Sequence, residues 1–221
     1  MFKRILTGLA LAATTLAVAA APTTEQYATD TTAVANGVAD VRSDTSPPGA
    51  MPLVTSASVV GTTDFAAGSG IAAQGLLTAS AEADSVSDFA SATGSAHYVA
   101  TFGGGGLMRI HLDFSSFDTT DAAAFSIGSA YLLVTSDGTT LLDEAITAPS
   151  IHDWTLTLTG ANQTFDLMVT SEGNAFGASA FNSASATFDV SVVPEPPACA
   201  LMLAGFGVLA WRGRRRVACR V

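Results

Sequence analysis

The sequence predicts an all-β body, a single antiparallel β-sandwich of jelly-roll type, carried between two membrane-directed ends. Three observations predict it. Apolar and polar residues alternate with period two through most of segment 51–192, the pattern of half-buried strands. Turn-forming clusters punctuate that segment at Gly103 to Gly106, Asp137-Gly138, Gly160 to Gln163 and Glu172-Gly173-Asn174. Only Thr119 to Phe125 carries a helical pattern, one or two turns long.

The elements follow in chain order. Lys3 and Arg4 give a positive start, and Ile5 to Ala21 contains no charge. Small residues then fill the positions that a signal peptidase reads, so residues 1–20 form a secretory signal peptide cut after Ala20. Cutting one residue later would leave Pro22 directly behind the scissile bond. Segment 21–50 is rich in Thr, Ala and Asp, has few large apolar residues, and ends in Pro47-Pro48-Gly49. It reads as a flexible leader or a marginal first strand.

The packed body is expected over 51–192, with eight strands. These are Val54 to Val60, Ile71 to Ala79, His97 to Phe102, Leu107 to Phe114, Ala130 to Thr135, Trp154 to Leu158, Phe165 to Val169 and Ala186 to Val192. Met108, Ile110, Leu112 and Phe114 form one inner row, and Phe165, Leu167 and Val169 another. Many short strands with turns at this spacing favour a sandwich over any helical layer. The last strand runs directly into Val193-Pro194.

Segment 193–221 has three parts in a fixed order. Val193-Pro194-Glu195-Pro196 is followed by an apolar run, Ala198 to Trp211, and then by Arg212, Arg214, Arg215 and Arg216. As a helix the 14-residue run 198–211 would measure about 21 Å, short against the roughly 30 Å of a bilayer core. Flanking arginines extend its reach by snorkelling. They also place the tail in the cytoplasm and the body outside. The expectation is one short transmembrane helix.

These residues closely resemble the PEP-CTERM sorting signal of Gram-negative bacteria. The resemblance covers about an eighth of the chain and rests on all three parts together. Pro197 stands where that family often has Ser or Thr. The resemblance implies recognition of Val193, Pro194, Glu195 and Pro196 by an exosortase-type membrane transpeptidase, with Arg212 to Arg216 as the stop-transfer cluster. It also implies removal of the tail and release to the cell surface or extracellular polysaccharide.

Charge narrows the partners. Of nine basic residues, seven lie in the two ends, leaving Arg42 and Arg109 against eighteen acids between Pro22 and Val193, a net charge of −16. Such a body repels phosphate backbones, so nucleic acid is excluded as a partner. No cysteine lies in the body, and the fold is not disulfide-stapled.

No catalytic constellation emerges. Gly103 to Gly106 lacks the Lys and the helix that a phosphate loop needs, and reads as a hairpin turn. His111 and Asp113, with Arg109 beside them and Ser115 and Ser116 nearby, form the best polar group, yet no nucleophile elbow accompanies them. A solvated strand face is the expected reading. His97 and His152 are isolated, and nothing has a zinc-site spacing. No cofactor is expected. The one candidate ligand is calcium, which prefers carboxylates near turns; Asp118, Asp121 and Asp137 are its candidate residues. The body is poor in the exposed aromatics that line sugar clefts, and Trp154 is expected in the core.

The expected function is therefore that of an exported, exosortase-sorted protein of the cell surface or polysaccharide matrix. Its role would be structural or adhesive, not enzymatic, with the secretion translocon and the exosortase as partners and extracellular polysaccharide as a further one. A sandwich module binding carbohydrate or calcium is the alternative, and a secreted hydrolase the third. Exposed aromatics on one face would favour the second class, and a cleft with convergent carboxylates the third.

Overall fold

The computed structural model describes residues 20–46 and 52–194. The expected signal peptide up to Ala19, the 198–211 helix and the Arg212 to Arg216 cluster lie outside the described residues. Among the described residues, no helix is long and apolar enough to cross a membrane.

Twelve strands form two six-stranded antiparallel sheets. They are β1 (Thr24–Ala35), β2 (Val38–Ser46), β3 (Leu53–Val60), β4 (Asp64–Ala73), β5 (Leu76–Ser85), β6 (Phe89–Gly103), β7 (Gly106–Thr120), β8 (Ala124–Ser136), β9 (Thr139–Ile146), β10 (Ser150–Leu158), β11 (Asn162–Phe176) and β12 (Ser179–Pro194). One sheet has the order β2-β1-β6-β11-β8-β9, and the other β10-β7-β12-β5-β4-β3. The sandwich is as expected, but it has twelve strands where an eight-stranded jelly roll was foreseen.

Four local expectations are corrected. Residues 24–46 are not a leader: β1 and β2 form a hairpin, and β1 pairs with β6 along its whole length. The body therefore starts well before Met51. Beyond Tyr27 its inner row, Thr29, Thr31, Ala33 and Ala35, is buried but too small to register as hydrophobic alternation. Thr119 to Phe125 is not helical; β7 ends at Thr120, a short turn follows, and β8 begins at Ala124. Ile71 to Ala79 is two strands, with Gly75 turning the chain at φ 74°. Glu172-Gly173-Asn174 lies inside β11, and the turn comes later, at Gly177 with φ 59°.

The expected turns at Gly103 to Gly106 and Asp137-Gly138 are present. Asp137 and Gly138 both have positive φ, 45° and 81°, as a two-residue hairpin of type I′ demands.

The sandwich has two poles. β12 starts at the far pole and ends at the exit pole, where it pairs through Pro194 with Gly106. A strand of that length spans roughly 50 Å. The core changes character along this axis. Towards the exit pole it holds Phe102, Phe114, Phe165, Met108, Ile110, Leu112, Leu132 and Leu167, all at most 2% exposed. Trp154 and Leu156 pack against this group from β10. Towards the far pole a separate cluster contains alanines, among them Ala33, Ala66, Ala83, Ala90 and Ala175, with Val59 the largest buried member.

Small inner residues let the sheets approach closely there. A Cβ on Gly68 or Gly70 of β4 would overlap the carbonyls of Thr93 or Ser95 on β6. One on Gly94 of β6 would overlap the carbonyl of Ser69 on β4 and lie 2.6 Å from that of Ser80 on β5. Backbone meets backbone between the layers, which only glycine permits. Across the same gap the Ser171 hydroxyl bonds the Asn182 carbonyl group and side chain at 3.0 and 2.8 Å, satisfying one buried polar pair.

Candidate functional site

At the exit pole, β12 passes without a break from Val190 through Val193 to Pro194. Ala20 forms a β-bridge with Val192, its N–H donating to the Val192 carbonyl at 2.6 Å. Thr23 then docks on Thr101 through its N–H at 2.6 Å and its hydroxyl at 2.9 Å. The residue expected to precede the leader cut thus lies beside the first residues of the Pro-Glu-Pro box. Glu195 and Pro196 lie outside the described residues.

The polar group read from β7 is arranged differently from its sequence neighbours. His111 pairs with Asp153 of β10 at 2.8 Å, across the strands, rather than with Asp113. Asp189 of β12 stands opposite His111 on the other side, and Arg109 faces Thr155 and Ser191. Both partners of the ion pair are more than half exposed, so it is a solvated pair of little energetic weight. Ser115 bonds Ser185, not a histidine. On the other outer face His97 pairs with Asp166 at 2.6 Å, and an Asp143 bond holds the Tyr131 hydroxyl above its usual range. His152 stacks on Trp154, ring centroids 5.0 Å apart.

The calcium candidates do not converge. Asp118 of β7 faces Asn182 of β12 and Asp121 accepts the Ser179 N–H at 3.0 Å, both at the far pole. Asp137 is at the exit pole, where it accepts the N–H groups of Ala161 and Asn162 at 2.8 and 3.0 Å. Among the described residues, no group of three or more His, Cys, Asp or Glu is placed to hold a metal ion.

The two amide bonds to Asp137 hold its carboxyl below the ordinary range. Burial raises that of Asp64, but the N–H of Val86 and the hydroxyls of Ser85 and Thr63 outweigh it and lower the net value. A depressed folded-state pKa stabilises the fold above the unfolded value, about 3.9, and that contribution disappears as pH falls through the folded value. Thermal melts should therefore be flat from pH 7 to about 5 and fall below about pH 4. Asp64→Asn should melt lower at pH 7 and show a shallower acid fall. An unchanged acid limb in that variant would remove Asp64 from the account.

The sequence reading missed a set of aromatic side chains. Phe89, Phe125 and Phe176 point outward from β6, β8 and β11 near the far pole, at 48, 53 and 64% exposure. Phe89 and Phe176 are cross-strand partners. Phe125 lies opposite Asn174, which lies opposite Ser91, which lies opposite Val34. On the other sheet Phe117 is 61% exposed beside Phe181, their ring centroids 6.3 Å apart. The surface is thus richer in exposed rings than expected. The available signal was phase: Phe125 and Ile127 alternate with Ser126 and Gly128, and it is the small set that faces inward.

Comparison with known proteins gives a family match at one end of the chain. Residues 192–216 match the PEP-CTERM protein-sorting motif. No curated protein matches the chain. Among solved structures, one entitled "Structure of infectious bursal disease virus Gt strain" aligns at 10% identity over 81% of this chain and 67% of that chain, with a TM-score of 0.18. The motif match takes in Val193, Pro194, Glu195, Pro196 and the arginines from Arg212 to Arg216, and the chain carries a PEP-CTERM sorting motif directly behind its β-sandwich.

Proposed function

We propose that the protein is exported through the secretion translocon, folds outside the inner membrane while tethered, and is then released by an exosortase-type transpeptidase. Its work is structural or adhesive, at the cell surface or in the extracellular polysaccharide, and not catalytic. The observation that carries this reading is the exit pole. Ala20, behind which the leader would be cut, and Val193-Pro194, where the Pro-Glu-Pro box begins, lie side by side at one end of the body. A body leaving by one pole can complete its fold with leader and tail both still in the same bilayer. The other pole then points away from the cell by roughly the length of β12.

The spread of polar groups supports a non-catalytic role. His111 with Asp153 and His97 with Asp166 are pairs on opposite outer faces, and among the described residues neither histidine is bonded to a hydroxyl nucleophile.

Intact-mass measurement of the protein from host cells and from medium tests the reading. The expected species in the medium begins at Ala21 and lacks Arg212 to Arg216. Replacing Pro194, Glu195 and Pro196 with alanine should leave the uncut chain in the membrane fraction. A full-length C-terminus in the medium would overturn it.

A further inference from the structure

We propose that the outer face of the β2-β1-β6-β11-β8-β9 sheet at the far pole is a docking platform for an uncharged polysaccharide strand, with Phe89, Phe125 and Phe176 as stacking rings. This rests on the surface reading above and adds its partner and its site. In this half of the molecule the usual layering is inverted. The interior is alanine, where the sheets touch, and the phenylalanines lie outside. No ring can enter a gap in which glycine backbones already meet carbonyls.

The rings are placed by register, not by loops. Phe89 and Phe176 sit on adjacent strands about 4.8 Å apart, and Phe125 one strand further and one outward step of about 6.8 Å along. Between them stands Asn174, with Ser91 beside it, giving amide and hydroxyl groups on the same outward face as the rings. Thr93 and Glu172 continue the next row, ending on Ile127. An outward face that alternates rings with hydrogen-bonding groups suits a sugar chain, whose C–H faces stack on rings and whose rim hydroxyls need partners.

Charge selects this occupant. The body has two bases against eighteen acids, so a second copy or an anionic polymer arriving here meets like charge. Neither base is on this face: Arg42 is on β2 of the same sheet but opposite Thr31, whose side chain is buried on the inner side, and Arg109 is on the other sheet. An uncharged glycan pays no such penalty. Ala20 and Pro194, where the described body begins and ends, lie at the opposite pole.

The test uses the processed protein purified from host medium, run by affinity electrophoresis through gels holding hydroxyethyl cellulose, a neutral β-glucan, or alginate, with pull-down on microcrystalline cellulose and chitin. Retardation or pull-down by a neutral polymer, insensitive to salt, is expected, and none by alginate. The triple variant Phe89→Ser, Phe125→Ser, Phe176→Ser should lose at least about tenfold in affinity while keeping its melting temperature. Phe117→Ser, on the opposite face, should bind as the parent does. Binding unchanged in the triple variant would overturn the proposal, as would no binding to any neutral polymer. So would sedimentation showing a dimer that the triple variant dissolves, since the rings would then serve a second copy. These outcomes are independent of how the tail is cut, so failure here leaves the sorting reading standing.

Discussion

Gly94→Val should prevent the two sheets from stacking and leave the protein unfolded or insoluble. Gly94 is in β6, near the middle of one sheet, and its α-carbon faces the carbonyls of Ser69 and Ser80 on β4 and β5. A methyl group there meets backbone on the other layer. Backbone oxygens in a paired strand cannot rotate aside, so the sheets must separate along several strands or the strand must leave the layer. Overpacking an adaptable core costs about 1–3 kcal/mol. Here relief would also loosen the packing of the neighbouring alanines, so the cost should exceed that range and approach the 5–15 kcal/mol that stabilises a typical domain. Gly68→Val and Gly70→Val should behave alike, since each faces a β6 carbonyl across the same gap. Gly103→Ala is the control: its nearest neighbour is the Thr23 methyl at 3.7 Å, and it should melt within a few degrees of the parent. Far-ultraviolet circular dichroism and solubility decide the matter. A folded Gly94→Val with parental melting would mean that the layers are not in contact there.

The same thin seam explains which parts of the fold were legible. Strands β7, β11 and the second half of β12 were readable because their inner rows carry Met, Ile, Leu, Phe and Val, which contrast with polar outer rows. β1 beyond Tyr27, and the far-pole halves of β5 and β6, were not, because their inner rows are Ala, Thr, Ser and Gly. Alternating Ala with Thr or Ser has almost no hydrophobic contrast, and in β1 it looked like a leader. Ala122 to Ala124 looked helical for a related reason: alanine is the best helix former, but here it flanks a tight turn between the sheets. The far-pole rings fell outside the reading because Phe89, Phe125 and Phe176 are 36 to 87 positions apart in sequence and meet only through register. The sorting motif needed no fold at all. It is linear, read by order and spacing, and the structure adds only where it emerges.

The graded core predicts where stability resides. Phe165→Ala should cost about 3–5 kcal/mol, the range for deleting a buried aromatic side chain. Phe165 is fully buried in β11, with ring centroids 5.8 Å from Phe188 and 6.0 Å from Tyr98. Tyr98 in turn contacts Tyr27 and Phe188, each at 5.0 Å, and donates its hydroxyl to Glu25 at 2.8 Å. Burial, and after it the hydrogen bond to Glu25, pushes the Tyr98 hydroxyl well above its ordinary range, so it stays a donor at any pH the protein meets. This four-ring group joins β1, β6, β11 and β12, and its members come from both sheets. Removing the Phe165 ring leaves a cavity that strand backbones cannot close. The alanine half offers no such anchor, because each buried methyl removes little surface from water. Its amides should therefore exchange faster than those of the exit-pole half, with β3 and the far ends of β4 and β5 opening first. Hydrogen exchange on the parent protein would measure that order, and denaturant melts of Phe165→Ala would measure the cost. A loss below about 1 kcal/mol would place the stability of the sandwich in its backbone pairing rather than in the ring cluster.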